Sequence, residues 1–530
     1  FGIGFSSPAL FRTTEREGGV MDKKSHRPKP EEIKEQGKER KKAWGELRRK
    51  QQAEGLEPLS KAAIPNRKST YETVEEEQNA RQDAVTEQIR VFRSKLPVLL
   101  KQLSAIKDPR DPKKIKYHHT VLMLYGLLSF VFQMTSRRAA NREMTYPMFT
   151  DNLKRLFPEL DVDQLPHNDT LNRLLSRIDV DNIENSLMTS VRSLIRKKKF
   201  FRYLVDKRYP IAIDGTQKCA RDVLWSEHCL ERDVGKGDDT HMQYYVYVVE
   251  ASLAFAGGMT IPLMSEFLSY PEGDTGSTKQ DCETKGFKRL ANRLKREFSH
   301  LPIMLLLDGL YPNGPIIEIC RKNKWDYMIV LQDNSLPSVW DEYEGLKKLE
   351  DKNQFSTTWG NRRQHFTWVN GIEYFYGDKG GKRQIVNLVV CEESWEEVAK
   401  DSAQIVSKAS RHAWISGKPL DKWNLHERCN LAARHRWNIE SGILVEKHHG
   451  YHYEHLFSYN WNAMKGYHYL MRIGHLINVL ALYSERLTKT IRGLTMTGFI
   501  RFVRNTISGP WLNPLWVKRR LAAPFQLRLI

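Results

Sequence analysis

The stretch Pro210-Ile211-Ala212-Ile213-Asp214-Gly215 is a short apolar run that an acid and a glycine close. A run of this kind is typical of a buried strand that ends in a turn. A second such run, Pro302 to Leu307, leads directly into Asp308-Gly309. We therefore predict that Asp214 and Asp308 each end a strand of the same sheet.

The elements around these two strands predict the fold class. They are strands at Gln243 to Leu253 and Met259 to Phe267 joined by a hairpin at Gly257-Gly258, a helix at Lys279 to Phe298, a helix around Ile316 to Arg321, and a strand at Asp326 to Gln332. The order β-β-β-α-β-α-β, three antiparallel strands extended by two parallel ones, is that of the RNase H-like fold. The predicted class is therefore α/β with a mixed five-stranded sheet, in which the strands of Asp214 and Asp308 are neighbours.

Two carboxylates at one sheet edge repel each other and favour the binding of a cation. Their hard oxygens suit Mg²⁺ or Mn²⁺, and a pair of such ions activates the attacking oxygen and stabilises the leaving oxygen in phosphoryl transfer. The alternative is that each Asp-Gly is only a turn, since both residues favour turns. The presence of two Asp-Gly pairs, each at the end of an apolar strand at the expected place, favours the metal site.

A third acid lies in Arg436-Trp437-Asn438-Ile439-Glu440, in a predicted helix that continues to Lys447. Offsets of four and seven residues place Arg436, Glu440 and Lys447 on one helix face. This face offers a metal-binding carboxylate flanked by two cations that bind phosphate. A surface ion pair of little energetic value is the alternative for such a spacing.

The run R-x3-E-x6-K resembles the helix motif of a large group of bacterial insertion-sequence transposases, whose fuller form is Y-x2-R-x3-E-x6-K. Arg436, Glu440 and Lys447 match this motif residue by residue, whereas Ala433 stands at the position of the tyrosine. The tyrosine's contact with phosphate or base is therefore absent here or comes from elsewhere in the chain.

Further motifs support the same resemblance, which covers about Leu165 to Leu480. Asp308-Gly309-Leu310-Tyr311 is similar to the second-aspartate motif of that group, and Ile211 to Thr216 is similar to the first. The segment Leu165 to Leu171 is similar to a P-x-x-D-T element upstream of the core, and we expect Asp169 or Asn168 to cap its helix.

The resemblance implies a DDE transposase that cleaves transposon ends and joins them to target DNA. Asp214, Asp308 and Glu440 would hold two Mg²⁺ or Mn²⁺ ions, while Arg436 and Lys447 would hold phosphates. No nucleotide cofactor is implied. The implied partner is double-stranded DNA, both the terminal inverted repeats and the target, bound by a homodimer at the nucleoid of a bacterial cytoplasm.

The segment 335–410 is predicted to be a β-rich insertion, with strand-like runs at Phe355 to Trp359, His365 to Val369, Ile372 to Tyr376 and Gln384 to Cys391. In the transposase group such an insertion contributes to DNA hairpin handling. Trp359 or Trp368 is a candidate to stack on a flipped base, which contributes about 1 to 3 kcal/mol per base. The alternative for a tryptophan in a strand is a place in the core.

Composition and pattern divide the chain into six predicted segments. They are a basic, partly disordered arm (1–70), a helical domain that binds DNA ends (71–205), the first part of the catalytic core (206–334), the β-rich insertion (335–410), the second part of the core with the Glu440 helix (411–485), and a basic segment (486–530) that binds DNA or a second protomer.

The net charge is +20, from 84 lysine and arginine residues against 64 aspartate and glutamate residues. Such an excess favours a polyanionic partner, and nucleic acid is the leading candidate. The alternative is a basic, soluble protein with a solvated surface. The six cysteines are scattered without a C-x-x-C pair, which predicts neither a zinc site nor a disulfide framework and suits a reducing cytoplasm.

No membrane span is predicted, because the longest apolar run, Val121 to Phe132, is too short and is expected to be a buried helix. Residues 1–20 lack the pattern of a signal peptide, and we expect the natural start at Met21, the first methionine.

Two other functions remain open at this point. A metal-dependent nuclease with the same RNase H-like core would share the three acids without joining ends. A non-catalytic DNA-binding protein derived from a transposase would be expected to have lost at least one acid, and all three are present.

Overall fold

The structure is a computed structural model that describes residues 30–57, 69–160, 162–270, 282–491 and 493–530, apart from the side chain of Asp238. The predicted start at Met21 lies outside the described residues. The α-helices within these ranges are α1 (Pro30–Ala53), α2 (Val74–Arg93), α3 (Leu96–Ser104), α4 (His119–Val131), α5 (Arg137–Glu143), α6 (Pro147–Leu156), α7 (Asn168–Leu175), α8 (Asp181–Arg196), α9 (Glu283–Glu297), α10 (Gly314–Asn323), α11 (Pro337–Lys347), α12 (Trp437–His448), α13 (Trp461–Leu482), α14 (Glu485–Thr490), α15 (Met496–Ile507) and α16 (Pro514–Ala522). The strands are β1 (Tyr209–Arg221), β2 (Leu230–Val234), β3 (His241–Ala254), β4 (Thr260–Phe267), β5 (Ile303–Leu307), β6 (Asp326–Val330), β7 (Gln354–Trp359), β8 (Arg362–Tyr376), β9 (Lys382–Val398) and β10 (Ile405–Ser416).

The described chain forms two compact units and is mixed α/β with a large mixed sheet. The larger unit contains residues 69–353, 368–389 and 413–530, and the smaller one contains residues 30–57, 354–367 and 390–412. The carboxylates predicted as a site all belong to the larger unit.

Strand β1 is central in the larger unit, where the strand order is β2-β3-β1-β5-β6-β10 and β4 also pairs with β3. It pairs antiparallel with β3, through Ile211 and Leu253, and parallel with β5, through Ile211 and Leu305. Strand β5 pairs in turn with β6 in parallel. Ile211 and its apolar neighbours are buried, as expected for a strand with a partner on either side.

The predicted hairpin between β3 and β4 is confirmed. Gly257 and Gly258 have φ values of 87° and 88°, a left-handed backbone that glycine adopts without steric cost.

The prediction that Asp214 ends its strand is wrong, because β1 continues to Arg221. The additional residues pair with β3 as far as Arg221 opposite Tyr244. Asp214 therefore lies inside β1, although the pairing of β1 with β5 ends two residues earlier at Ala212 opposite Leu306. The short strand β2, which was not predicted, pairs with the same end of β3.

Helices α2 to α8 follow one another along the segment predicted to be helical. The apolar run predicted as a buried helix forms α4, which packs against α13. Helix α2 packs against α13, α14, α15 and α16, so that residues of the basic C-terminal segment contribute to the same helical core. His167, rather than Asn168 or Asp169, caps α7, because its ring nitrogen accepts the backbone N–H of Asp169 at 3.2 Å.

The predicted arm contains a helix that its polar composition did not indicate. Helix α1 belongs to the smaller unit, where Ala43 and Leu47 are buried in a cluster with Val398. In this unit β7 pairs antiparallel with the first residues of β8, with Phe355 opposite Phe366.

The segment predicted to be a β-rich insertion contains strands at the expected runs, with three differences. One strand, β8, replaces the two runs predicted between His365 and Tyr376. Strand β10 and helix α11 were not predicted.

The helix predicted from Arg436 to Lys447 is present as α12, and the chain enters it through an irregular segment that was not predicted. Residues His426–Ala432 form a π-helix and Ala433–Arg436 form a 3₁₀ turn, after which α12 begins at Trp437. Within the described ranges, no helix combines the length and apolar character that crossing a membrane requires.

Candidate active site

Asp214 lies within β1, and Asp308 directly follows β5, the parallel neighbour of β1. The last residues in the parallel register are Ala212 and Leu306, and each acid lies two residues further along its chain, near enough for the charge of Asp308 to raise the pKa of Asp214. Backbone N–H groups orient both carboxylates, since Gly215 donates to Asp214 at 3.0 Å and Leu310 donates to Asp308 at 2.9 Å. Each carboxylate is therefore held in one orientation by the backbone that directly follows it.

Asp214 is in an environment that disfavours its charge. Burial raises the pKa of Asp214 from 3.8 to about 7, and the charges of Glu440, Asp308 and Glu283 add to this rise while Arg436 opposes it. The local negative charge thus exceeds what the one nearby guanidinium compensates. A bound cation would relieve this excess.

Glu440 is held by Arg436, one helical turn earlier. Nη1 of Arg436 lies 3.0 Å from Oε1 of Glu440, and the guanidinium also lies 4.5 Å from the centre of the Trp437 ring. Burial raises the pKa of Glu440, Arg436 lowers it and the charge of Asp308 raises it again, which places this acid near the other two. Arg436 is only 4 % exposed, and its Nε has no hydrogen-bond partner among the described residues.

A fourth carboxylate, Glu283, belongs to the same group and was not predicted. Its two oxygens accept hydrogen bonds from the phenol groups of Tyr311, at 2.6 Å, and Tyr247, at 2.8 Å. Its charge contributes to the raised pKa of Asp214. In the sequence Glu283 is an acid in the first turn of a helix, a position that ordinarily only complements the helix dipole.

Lys447 lies apart from the acids with which the motif groups it. Its Nζ is 3.1 Å from Glu454, a residue beyond the end of α12. The one-face arrangement predicted for Arg436, Glu440 and Lys447 therefore brings only the first two into contact in this structure.

Buried charges fix the far end of α12. Glu446 contacts Arg472 at 3.2 Å and His475 at 2.6 Å, both on α13, and Arg472 reaches Glu250 of β3 at 3.2 Å. Although burial alone would raise it, Arg472 and His468 lower the pKa of Glu250 to about 2. These ion pairs join the helix of Glu440 to the strand that lies next to β1.

The two tryptophans predicted as base-stacking candidates have different surroundings. Trp368 is 5 % exposed and packs in the core of the larger unit, so its predicted stacking on a base is not supported. Trp359 is partly exposed at the end of β7 in the smaller unit. Trp437, which was not a candidate, is 55 % exposed next to Arg436.

The carboxylates fit a divalent cation in kind and charge. Asp214, Asp308 and Glu440 supply hard oxygen ligands in a region of excess negative charge, as Mg²⁺ and Mn²⁺ prefer. In the described part of the chain, however, no group of three or more His, Cys, Asp or Glu side chains is arranged to hold a metal ion. Glu440 is engaged with Arg436 instead.

Comparison with known proteins gives one family match. Residues 100–190, from within α3 to within α8, match the family model described as DDE_Tnp_1-associated. No curated protein matches the chain. The matched segment contains none of the four carboxylates, and it points to a transposase-family protein.

Proposed function

We propose that this protein is a DNA transposase that cuts transposon ends and joins them to target DNA by metal-assisted phosphoryl transfer. The observation that carries the proposal is the group formed by Asp214, Asp308 and Glu440, in which burial, and secondly the neighbouring negative charges, raise the pKa of Asp214 to about 7. The family match at residues 100–190 supports the same class of protein independently of these acids.

We further propose that the core is RNase H-like. The support is the strand order: β4, β3 and β1 pair antiparallel, and β5 and β6 extend the sheet in parallel. The parallel pairing of β1 with β5 further supports it, because Asp214 lies in β1 and Asp308 directly follows β5.

Asp214, Asp308 and Glu440 would hold two Mg²⁺ or Mn²⁺ ions. When bound, such ions activate the attacking oxygen and stabilise the leaving oxygen of a phosphodiester. The backbone N–H groups of Gly215 and Leu310 hold the two aspartates in fixed orientations. Glu440 would leave its contact with Arg436 and bind an ion together with the two aspartates.

Arg436 would then bind DNA phosphate. It is already buried beside the acids, one of its N–H donors has no partner among the described residues, and a guanidinium suits bidentate contact with phosphate. Lys447 would contact phosphate further along the same DNA, in place of Glu454.

The net charge of +20 supports double-stranded DNA as the partner, because neutralising phosphates releases counterions. On this proposal the helices around residues 100–190 bind the terminal inverted repeats, and a homodimer in the bacterial cytoplasm brings two ends together.

The test is cleavage and strand transfer on a labelled duplex carrying the element's end, with Mg²⁺ or Mn²⁺. Wild type is compared with Glu440→Gln at matched DNA binding. Glu344→Gln serves as the control because it makes the same chemical change at an exposed position on α11. We expect cutting and joining in the wild type and the control, and loss of both in Glu440→Gln while DNA binding persists.

Other results would contradict specific parts of the proposal. Equal activity of Glu440→Gln and wild type would remove Glu440 from the site. Cutting without joining would indicate a nuclease, and DNA binding without any reaction would indicate a non-catalytic relative of transposases.

A further inference from the structure

Glu283 connects the two Asp-Gly sites through side chains that are far apart in the sequence. Its carboxylate accepts hydrogen bonds from Tyr311, three residues after Asp308, and from Tyr247 on β3. Because both of its oxygens are already engaged by phenol groups, Glu283 is placed to hold other groups rather than to act as a free ligand.

The approach of Glu283 to β1 explains the glycine that follows Asp214. A Cβ atom added at Gly215 would lie 2.3 Å from an oxygen of Glu283 and 2.6 Å from the ring of Tyr247. Every other residue type would displace the carboxylate or the tyrosine. Gly215 therefore allows Glu283 to lie directly against the strand that carries Asp214.

Helix α9, which begins at Glu283, holds the turn after Asp308 in two places. Tyr311 is fully buried and its backbone N–H donates to the carbonyl oxygen of Asp308 at 3.2 Å. Its hydroxyl bonds Glu283, and its ring packs against Phe287, one turn further along α9, with ring centres 5.1 Å apart. Helix α9 thus fixes the position of the turn from which Asp308 projects.

We propose that Glu283 is a positioning residue of the active site, which locks the Asp308 turn to the Asp214 strand through Tyr311, Tyr247 and Gly215. This inference rests on the proposed function, since it assigns Glu283 to the site where Asp214 and Asp308 bind the metal. Residues that orient metal ligands typically change metal affinity or activity about 10- to 100-fold when they are replaced.

The experiment measures binding of Mn²⁺ alone to the full-length protein by electron paramagnetic resonance, together with DNA cleavage and DNA binding. The variants are Glu283→Gln and Tyr311→Phe, singly and combined. Glu297→Gln is the matched control, because it makes the same change at a half-buried, ion-paired acid on the same helix. It lies about 21 Å along α9 from Glu283 at 1.5 Å per residue.

We expect Glu283→Gln and Tyr311→Phe each to weaken Mn²⁺ binding about tenfold or more and to slow cleavage by a similar factor. DNA affinity and the unfolding temperature should remain near the wild-type values. The double variant should bind Mn²⁺ only slightly less tightly than the single variant with the lower Mn²⁺ affinity, because both changes break the same link. Wild-type Mn²⁺ binding and cleavage in Glu283→Gln would overturn the assignment.

Two additional variants keep the result interpretable. If Glu283→Gln does not fold, Tyr311→Phe and Tyr247→Phe test the same link, since each keeps its ring and loses only the hydroxyl. Asp214→Asn tests the proposed metal site separately from the role of Glu283. Loss of Mn²⁺ binding in Asp214→Asn with none in the Glu283 and tyrosine variants overturns only the role of Glu283, whereas unchanged binding in Asp214→Asn overturns the proposed metal site as well.

Discussion

Replacing Asp214 by asparagine should stabilise the protein at alkaline pH in the absence of divalent ions. The pKa of Asp214 rises from 3.8 in the unfolded chain to about 7 in the fold, chiefly because the group is buried and secondly because Glu440 lies nearby. At about 1.4 kcal/mol per pKa unit, the ionised carboxylate costs the fold about 4 kcal/mol above pH 8. Asparagine has a similar shape, retains an oxygen for the N–H of Gly215 and carries no charge.

The raised pKa of Asp214 sets the direction in which stability changes with pH. The contribution of Asp214 to stability is fully present below about pH 4 and is lost as pH rises through about 7. The wild type should therefore lose stability between about pH 5 and pH 8.5, and Asp214→Asn should lose less over this range, by up to about 3 kcal/mol. Part of this loss is already present at pH 5, because that pH is more than one unit above the unfolded pKa of 3.8.

The assay is urea unfolding followed by tryptophan fluorescence, in the presence of a chelator, at about pH 5 and about pH 8.5. Asp341→Asn is the control, because it makes the same change at an exposed position on α11. Adding Mn²⁺ at the higher pH should stabilise the wild type and leave Asp214→Asn nearly unchanged. A stability difference between wild type and Asp214→Asn that is the same at both pH values would refute the reasoning.

Two further changes test the core around the site. Arg472→Met should destabilise the protein by about 3 to 5 kcal/mol, because it leaves Glu446 and Glu250 buried without their partner; Lys489→Met, at an exposed ion pair, should change stability by under about 1 kcal/mol in the same urea assay. Trp368→Ala should lower the free energy of unfolding by about 3 to 5 kcal/mol in that assay, and a large loss of DNA affinity without a loss of stability would instead indicate base stacking.

The parts of the site that depend on short spacing were predictable from the sequence. Arg436 and Glu440 are four residues apart, and helical geometry alone brings such residues together. The placement of Asp214 beside Asp308 followed from two apolar runs that end in acids and from the parallel pairing of their strands. The hairpin at Gly257-Gly258 was visible because only glycine adopts its backbone conformation easily.

The lengths of several strands and helices were not predictable, because tertiary partners decide them. Strand β1 extends past Asp214 since β3 offers hydrogen-bonding groups as far as Tyr244. Strand β10 is mainly polar between Ser407 and His412, and its last residues pair with β6, more than eighty positions earlier. Helix α1 has little apolar surface, and it buries Ala43 and Leu47 against residues near Val398.

The sequence by itself predicted the acids of the proposed site, the two neighbouring strands next to which two of them lie and the charge that favours a polyanionic partner. Only the tertiary structure decided that Glu283 joins them, that Trp368 is buried, and that Asp214 has a pKa near 7. The physical reason is that spacing along a chain specifies local geometry. Burial and electrostatic potential instead depend on groups such as Glu283 and Glu440, which meet Asp214 only after the chain has folded.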